Sequence, residues 1–199
     1  MAELANTCNN PYAEQAVTVA QTQRLCLRTF SLADVDGFFA LNNDPVVMQY
    51  TGDSPFTDKQ AVAEFIYNYD QYHRFGLGRY AVYLKDSNRY IGFSGLRYNQ
   101  KSGQIDIGFR LMREYWGQGY ATESALPCIE MAFEKHHAEQ LVARAMSTNL
   151  ASHAVIKKLG FAYHKEFCEG FDNNHQPVLW TQYTLSRQQY QSNKASSIG

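Results

Sequence analysis

The sequence lacks most of the features that would place it in a specialised class. Its four cysteines, Cys8, Cys26, Cys128 and Cys168, lie 18, 102 and 40 residues apart, with no Cys-x-x-Cys pair and no Cys/His cluster. That spacing excludes the usual zinc sites, so no metal is expected, and a chain with this much core material needs no disulfide framework. No run of roughly 18 apolar residues occurs, so no membrane-spanning helix and no membrane partner are expected. Residues 1–20 hold Glu3, Glu14 and several Asn and Gln, without a basic n-region or an apolar h-region, so no secretory signal is expected there. One-sided charge is missing as well: 18 Lys+Arg oppose 19 Asp+Glu, for a formal net charge of −1. A broad nucleic-acid surface needs a basic face that releases counterions, and this balance does not supply one. The default setting is then soluble, reducing and cytoplasmic.

What the chain does have is length and aromatic mass. Its 199 residues fit one domain, and 45% hydrophobic against 19% charged residues is a globular composition. Aromatics reach 14%, with 14 Tyr and 12 Phe, which suits core packing first and a pocket lining second. Residues 1–20 are polar and aperiodic and read as a flexible extension, residues 21–188 as the domain, and residues 189–199 as a flexible tail.

Within the domain the alternation of Arg24–Arg28 reads as a first strand. Ser31 and Asp34 cap a short helix through Phe38, Phe39 and Leu41, and Asp44-Pro45 opens a further helical turn. Thr57 and Gln60 form a capping box for one helix of about 17 residues ending near Gly76, with Phe65, Ile66, Tyr69 and Tyr72 on one face. Strands over 79–85, 90–98 and 104–111 follow, then a helix over 120–136, a buried strand over 141–146 and a helix over 149–159 that Gly160 stops. Segments 161–167 and 178–186 close as a strand pair. This order predicts an α/β (α+β) fold: a mixed, mostly antiparallel sheet of about seven strands with helices on both faces.

The sharpest local feature is Tyr115-Trp116-Gly117-Gln118-Gly119-Tyr120-Ala121-Thr122-Glu123, between a strand and an amphipathic helix. Two glycines let successive backbone N–H groups converge, and the helix start adds a positive dipole end, so the turn suits a diphosphate. It is not a P-loop, for no Gly-Lys-Ser/Thr follows, and Thr122 stands where a dinucleotide fingerprint needs a third glycine. Taken alone, a Gly-x-Gly is also an ordinary tight turn, as Gly76-Leu77-Gly78 illustrates.

The whole string resembles the acyl-coenzyme A loop of the GCN5-related N-acetyltransferase (GNAT) superfamily, and WGQGYATE is similar to the form in its ribosomal-protein N-terminal (Rim-type) members. Other segments agree in order: Thr22–Arg28, Asn43–Tyr50, Tyr90-Ile91-Gly92, Ile105–Phe109, and Asn149-Leu150-Ala151-Ser152 closing on Lys158-Leu159-Gly160-Phe161. The resemblance spans about residues 22–185. It implies an acetyl-coenzyme A-dependent N-acetyltransferase that moves acetyl to a primary amine, either a protein N-terminus or a small molecule, as a monomer or homodimer.

By that resemblance the cosubstrate lies along Phe109, Arg110 and Leu111 of the family's splayed fourth strand, with a backbone N–H there polarising the thioester. The phosphates meet Trp116, Gly117, Gln118, Gly119, Tyr120, Ala121 and Thr122, with Arg113 as helper, while Asn149 and Ser152 serve the second coenzyme motif. Two positions depart from the pattern. Glu114 replaces the usual Gln/Arg, so backbone amides carry the phosphates. Ile156 stands where many members place a proton-donating Tyr, so Ser152 is the alternative donor to the departing thiolate. Asp106 is the candidate base, against a plain strand-paired carboxylate. Tyr50, Tyr69 and Tyr72 lie where an acceptor enters.

Simpler roles stand beside these. Asn149 and Ser152 suit a helix cap, Lys157 and Lys158 suit dipole partners in a last turn, and Trp116 suits loop packing. His136 and His137 at a helix end carry no catalytic expectation, and His153 and His164 have no assigned role. The alternative to catalysis is a non-catalytic acyl-coenzyme A-binding sensor or interaction module.

Overall fold

In the computed structural model, which describes residues 9–171 and 175–196, an eight-stranded sheet runs through the domain in the order β1-β2-β3-β4-β5-β6-β8-β7. The strands are β1 (Thr18–Gln21), β2 (Leu25–Thr29), β3 (Arg79–Leu84), β4 (Tyr90–Asn99), β5 (Gln104–Leu111), β6 (Gln140–Met146), β7 (Ala162–Phe171) and β8 (Pro177–Ser186). Every pairing is antiparallel except β5 with β6. The expected seven strands become eight because β1 joins the edge. That also corrects the reading of a flexible extension for residues 9–20. Asn10 and Ala13 are buried, Asn10 Nδ2 donates to the carbonyls of Phe30 and Ile66, and Thr18–Gln21 pair with β2. Residues 1–8, including Cys8, lie outside the described residues. At the other end, the expected flexible tail is largely helix α7 (Arg187–Ser196), whose Tyr190 ring stacks on Phe133 at 4.6 Å. Only its last residues, 197–199, lie outside the described part.

One face of β2–β5 carries α1 (Val35–Asn43), α2 (Pro45–Met48), α3 (Lys59–Tyr67) and α4 (Gln71–Phe75). The Ser31/Asp34 cap forms as expected: the Ser31 N–H donates to Asp34 Oδ2 at 2.8 Å. The single long helix does not. Asp58, not Thr57, caps α3 by accepting from the Ala61 N–H, and α3 stops at Tyr67. Asn68 ends it by turning its side-chain amide back onto the Glu64 carbonyl, which competes with the next helical turn. Tyr69 and Tyr72 therefore come from the break and from α4 rather than from one stripe. With Phe30, Phe38, Phe56, Phe65 and Phe93 they build a cluster of mostly edge-on ring contacts. Most of the aromatic surplus is core.

The opposite face carries α5 (Tyr120–Glu130), which ends in a π turn over Met131–Lys135, and α6 (Leu150–Lys158). Ala125, Cys128, Ile129 and Phe133 are buried there with Leu141, Ala143 and Ile156. Cys26, Cys128 and Cys168 are free thiols, and no group of three or more His, Cys, Asp and Glu among the described residues could hold a metal. No helix is long and apolar enough to cross a membrane among the described residues.

Candidate active site

The site begins with a pairing that stops early. β5 and β6 run parallel through Ile105↔Leu141, Asp106↔Val142 and Ile107↔Ala143, yet β5 continues to Leu111 and β6 to Met146 without partners in each other. The two strands therefore part after Ile107. On its other side β5 stays paired with β4 to the end, and the Met112 N–H donates to Ile91. Ladder groups alternate along a strand, so the even-numbered N–H groups face β4 and those of Phe109 and Leu111 face the opening. Two backbone donors, fixed by a rigid strand, thus point into a wedge that no backbone ladder fills.

The Gly-x-Gly string lies at the mouth of that wedge. Trp116 is half exposed and its indole N–H donates to the Leu111 carbonyl at 2.7 Å, while Gln118 folds back onto the Glu114 carbonyl at 2.7 Å. Both side chains thus shape the loop. Gly117 and Gly119 adopt φ of +73° and +82°, which only glycine takes without strain, and nothing lies within 4 Å of a Cβ built on Gly117. Gly119 is the N-cap of α5, and the first N–H bonded inside the helix is that of Glu123, to Gly119 O. The amides of Tyr120, Ala121 and Thr122 lie before it, half-buried behind the exposed turn 116–119 and at the positive dipole end of α5. Glu123 anchors this turn, accepting from Thr22 Oγ1 at 2.6 Å and from the Arg24 backbone and side chain at 2.8 and 2.6 Å. Burial raises its pKa, but those donors outweigh burial and hold it below the usual range. Arg24 also covers the Tyr120 ring, 4.1 Å from its centroid. Arg113 points to Asp44, 3.9 Å away, and Glu114 is exposed.

On the α1–α4 face, β5 presents Asp106, Gly108 and Arg110. Asp106 does not have the environment of a base. Its Oδ1 pairs with Arg79 and its Oδ2 accepts from Arg97 Nε at 2.9 Å. Burial pushes its pKa up, yet the two guanidinium groups more than reverse that and keep the carboxyl below its ordinary value. Arg79 lies flat over Gly108, where a Cβ would come within 2.7 Å of its Nη2. That puts a positive charge one residue from the Phe109 N–H. Arg110 pairs with Asp53 at 2.5 Å and with Asn42, so its side chain ties loop 49–58 to the sheet. Its expected contribution to the cosubstrate is therefore confined to backbone.

The tyrosines expected at the acceptor entrance separate. Tyr69 and Tyr72 are buried, and both hydroxyls are engaged. The Arg79 N–H donates to Tyr69, and Tyr72 accepts from the Phe30 N–H and donates to the Arg79 carbonyl. Burial pushes the Tyr69 hydroxyl up to about 12 and raises Tyr72 as well. Their hydroxyls are core posts for β3, and of the two only Tyr69 borders the surface depression between α3, α4 and β4. Tyr50 is half-buried after α2, beside loop 49–58, where Gly52 faces Trp180.

Across the wedge, Asn149 caps α6 by accepting from the Ser152 N–H at 3.1 Å. The Ser152 hydroxyl has no protein partner among the described residues and stays half-buried. Ile156 is fully in the core. Lys157 and Lys158 occupy the last turn of α6 as dipole partners. His153, unassigned by sequence, is buried between the Ser147 carbonyl at 3.3 Å and the Tyr183 hydroxyl at 3.0 Å, fixing α6 to the end of β6. Sequence reasoning also missed Arg79 and Arg97. The available signal was register: antiparallel pairing of 90–98 with 104–111 through a short turn sets Arg97 opposite Asp106.

The family description "Acetyltransferase (GNAT) domain" matches residues 24–162. Among curated proteins, one described as uncharacterized N-acetyltransferase p20 of Bacillus licheniformis is 29% identical over 142 residues, 70% of this chain and 80% of the relative. The Bacillus subtilis protein YkkB, likewise described as uncharacterized, is 31% identical over 155 residues, 75% of this chain and 88% of its own. Among solved structures, the spermidine N-acetyltransferase of Vibrio cholerae, in complex with CoA and spermine, superposes with a TM-score of 0.72 at 18% identity. That match covers 84% of this chain and 98% of the other, a likeness of fold.

Proposed function

This chain belongs to the GNAT acetyltransferases, and from that premise we propose that it transfers acetyl from acetyl-coenzyme A directly to a primary amine in a ternary complex. The observation that carries this reading is the early parting of β5 and β6 beside the α5 N-terminus. It supplies a slot with two aimed donors next to an anion cradle. The cradle fits the cosubstrate: its wall is backbone N–H, it is open at Gly117, and no carboxylate side chain projects between Gly117 and Thr122.

In this reading Gly117–Thr122 amides hold the phosphates, which explains how phosphate binding coexists with a net charge of −1. The N–H of Phe109 or Leu111 meets the thioester oxygen and stabilises the negative charge that grows there, an effect worth roughly 3–4 kcal/mol per fixed donor in comparable sites. The amine nitrogen bonds to the acetyl carbon as the carbon–sulfur bond breaks. Arg79 favours the neutral amine, because a fixed cation disfavours a second one nearby. With Asp106 committed to its arginines, the amine's proton leaves to water. An α-amine titrates near 8 and a lysine-type amine near 10.4, so the first is the easier acceptor at neutral pH. The Ser152 hydroxyl hydrogen-bonds the departing thiolate and relays a water proton to it. The Rim-type resemblance of Trp116–Glu123 keeps protein N-termini among the acceptors to be tried, beside small amines.

The test is calorimetric titration with acetyl-coenzyme A, followed by coenzyme release against peptides and small amines with mass detection of the acetylated product. Binding and amine-dependent release are expected. Absence of acetyl-coenzyme A binding ends the proposal.

A further inference from the structure

On the α1–α4 face, level with Asp106, lies an open depression of about 500 Å³ between α3, α4 and β4. Its lining includes Glu64, Phe65, Tyr69, Asp70 and Arg97. The charges in it are not equally available. Asp70 is paired with Arg74 at 2.9 Å, and one Glu64 oxygen accepts from Gln60. Arg97 is held by its Nε alone, through Asp106, so its position is fixed while both terminal Nη groups have no partner among the described residues. Its side chain is 56% exposed. An orientated guanidinium with two vacant N–H-bearing arms is the geometry that takes a carboxylate in two parallel hydrogen bonds.

We propose that Arg97 reads a carboxylate on the acceptor, so that the preferred substrate is a primary amine carrying a carboxylate several bonds away, such as a short peptide or a longer ω-amino acid. The inference rests on the acetyl-transfer reading and gives its acceptor a chemical class. Distance supports the spacing. Arg97 lies opposite Asp106, three residues before Phe109, which at about 3.3 Å per residue is about 10 Å along β5. An acceptor that joins the Arg97 depression to the Phe109 N–H has to bridge an interval of that order. Charge supports the class locally: Arg79 and Arg97 share the single carboxylate of Asp106, so one positive charge beside the vacant Nη groups has no carboxylate of its own.

The test uses a series of ω-amino acids and dipeptides, each against its carboxamide, with spermidine as a polycation. Turnover of each is measured with acetyl-coenzyme A, and binding is measured by calorimetry in the presence of coenzyme A. For the wild type, kcat/KM is expected to favour the carboxylate over its amide at least tenfold, with an optimum at intermediate length. Arg97→Gln abolishes the preference, Arg97→Lys keeps part of it, and the KM for acetyl-coenzyme A stays unchanged in both. Equal use of acids and amides, a preference that survives in R97Q, or spermidine as the best acceptor overturns the inference while leaving acetyl transfer intact. Binding of carboxylates that depends on Arg97 without any turnover supports the Arg97 site and refutes the catalytic reading. Neither binding nor turnover by any member refutes the site.

Discussion

Replacing Asp106 by Asn separates two incompatible accounts of the site. Asp106 and Arg79 are only 14% and 15% exposed in their side chains, and Arg97 closes the second carboxylate oxygen at 2.9 Å. Asn keeps the size and one acceptor but removes the charge, leaving the Arg79 guanidinium largely buried without its counterion. Losing one partner of a buried pair costs 3–5 kcal/mol in well-enclosed cases, so about 2–4 kcal/mol is expected for this partly enclosed one. In a chain of this size that lowers Tm by roughly 5–15 °C. Turnover measured well below that Tm should fall less than about tenfold, because the carboxylate accepts no proton, whereas loss of a general base costs 10²–10⁴-fold. The pH–rate curve should keep its ascending limb and move it to lower pH, since removing a negative charge strengthens the effect of Arg79 on the amine. The pH dependence of stability follows as well. A carboxyl held low in the folded state stabilises it above the unfolded value of about 3.9, and that stabilisation is lost only as pH falls through the lower folded value. The difference in urea midpoint between wild type and D106N should then be constant near neutrality and shrink only in strong acid. An unchanged Tm together with a thousandfold loss of kcat and a flattened ascending limb would refute this account and restore Asp106 as the base.

Four shorter expectations accompany it. Ser152→Ala should lower kcat about 10–100-fold and leave acetyl-coenzyme A affinity unchanged, because the Asn149 cap bonds the Ser152 backbone N–H and not its hydroxyl; calorimetry and steady-state rates check both halves. Gly119→Ala forces a side chain to φ +82°, costing roughly 1–2 kcal/mol of stability, and should weaken acetyl-coenzyme A binding more than tenfold by disturbing the α5 amides. Tyr69→Phe strands the Arg79 N–H and should cost about 1–3 kcal/mol in a denaturant melt, with acceptor KM little changed. Glu123→Gln weakens the tether between α5 and Arg24, and should raise the KM for acetyl-coenzyme A with at most a small change in kcat.

Local codes survived where each residue's partner is near in sequence. Ser31 and Asp34 cap as their spacing implies, Asp44-Pro45 opens α2, and Asn149 caps α6, because a side chain and a backbone N–H two or three residues apart meet in any helix start. The same logic misled at Thr57, where Asp58 one residue later makes the cap, and at Asn68, whose competing hydrogen bond splits a periodic stretch into α3 and α4. Residues 9–20 looked unstructured since their partners, Phe30, Ile66 and β2, are remote in sequence.

The class of molecule, an α/β domain of nearly balanced charge whose Trp116–Glu123 string turns tightly into a helix, is legible from local chain properties alone. Glycine's tolerance of positive φ and the helix dipole are properties of the local chain, and they need no tertiary contact to be legible. Only the folded structure decided which polar groups remain available for chemistry. Asp106 and the hydroxyls of Tyr69 and Tyr72 carry reactive functional groups in the sequence, yet Arg79, Arg97 and the β3 backbone consume them. Conversely, the N–H groups of Phe109 and Leu111 belong to any strand, and became distinctive because β6 turns away after Ala143. Availability depends on what lies opposite across the sheet, and that is set by register and burial between segments far apart in the chain.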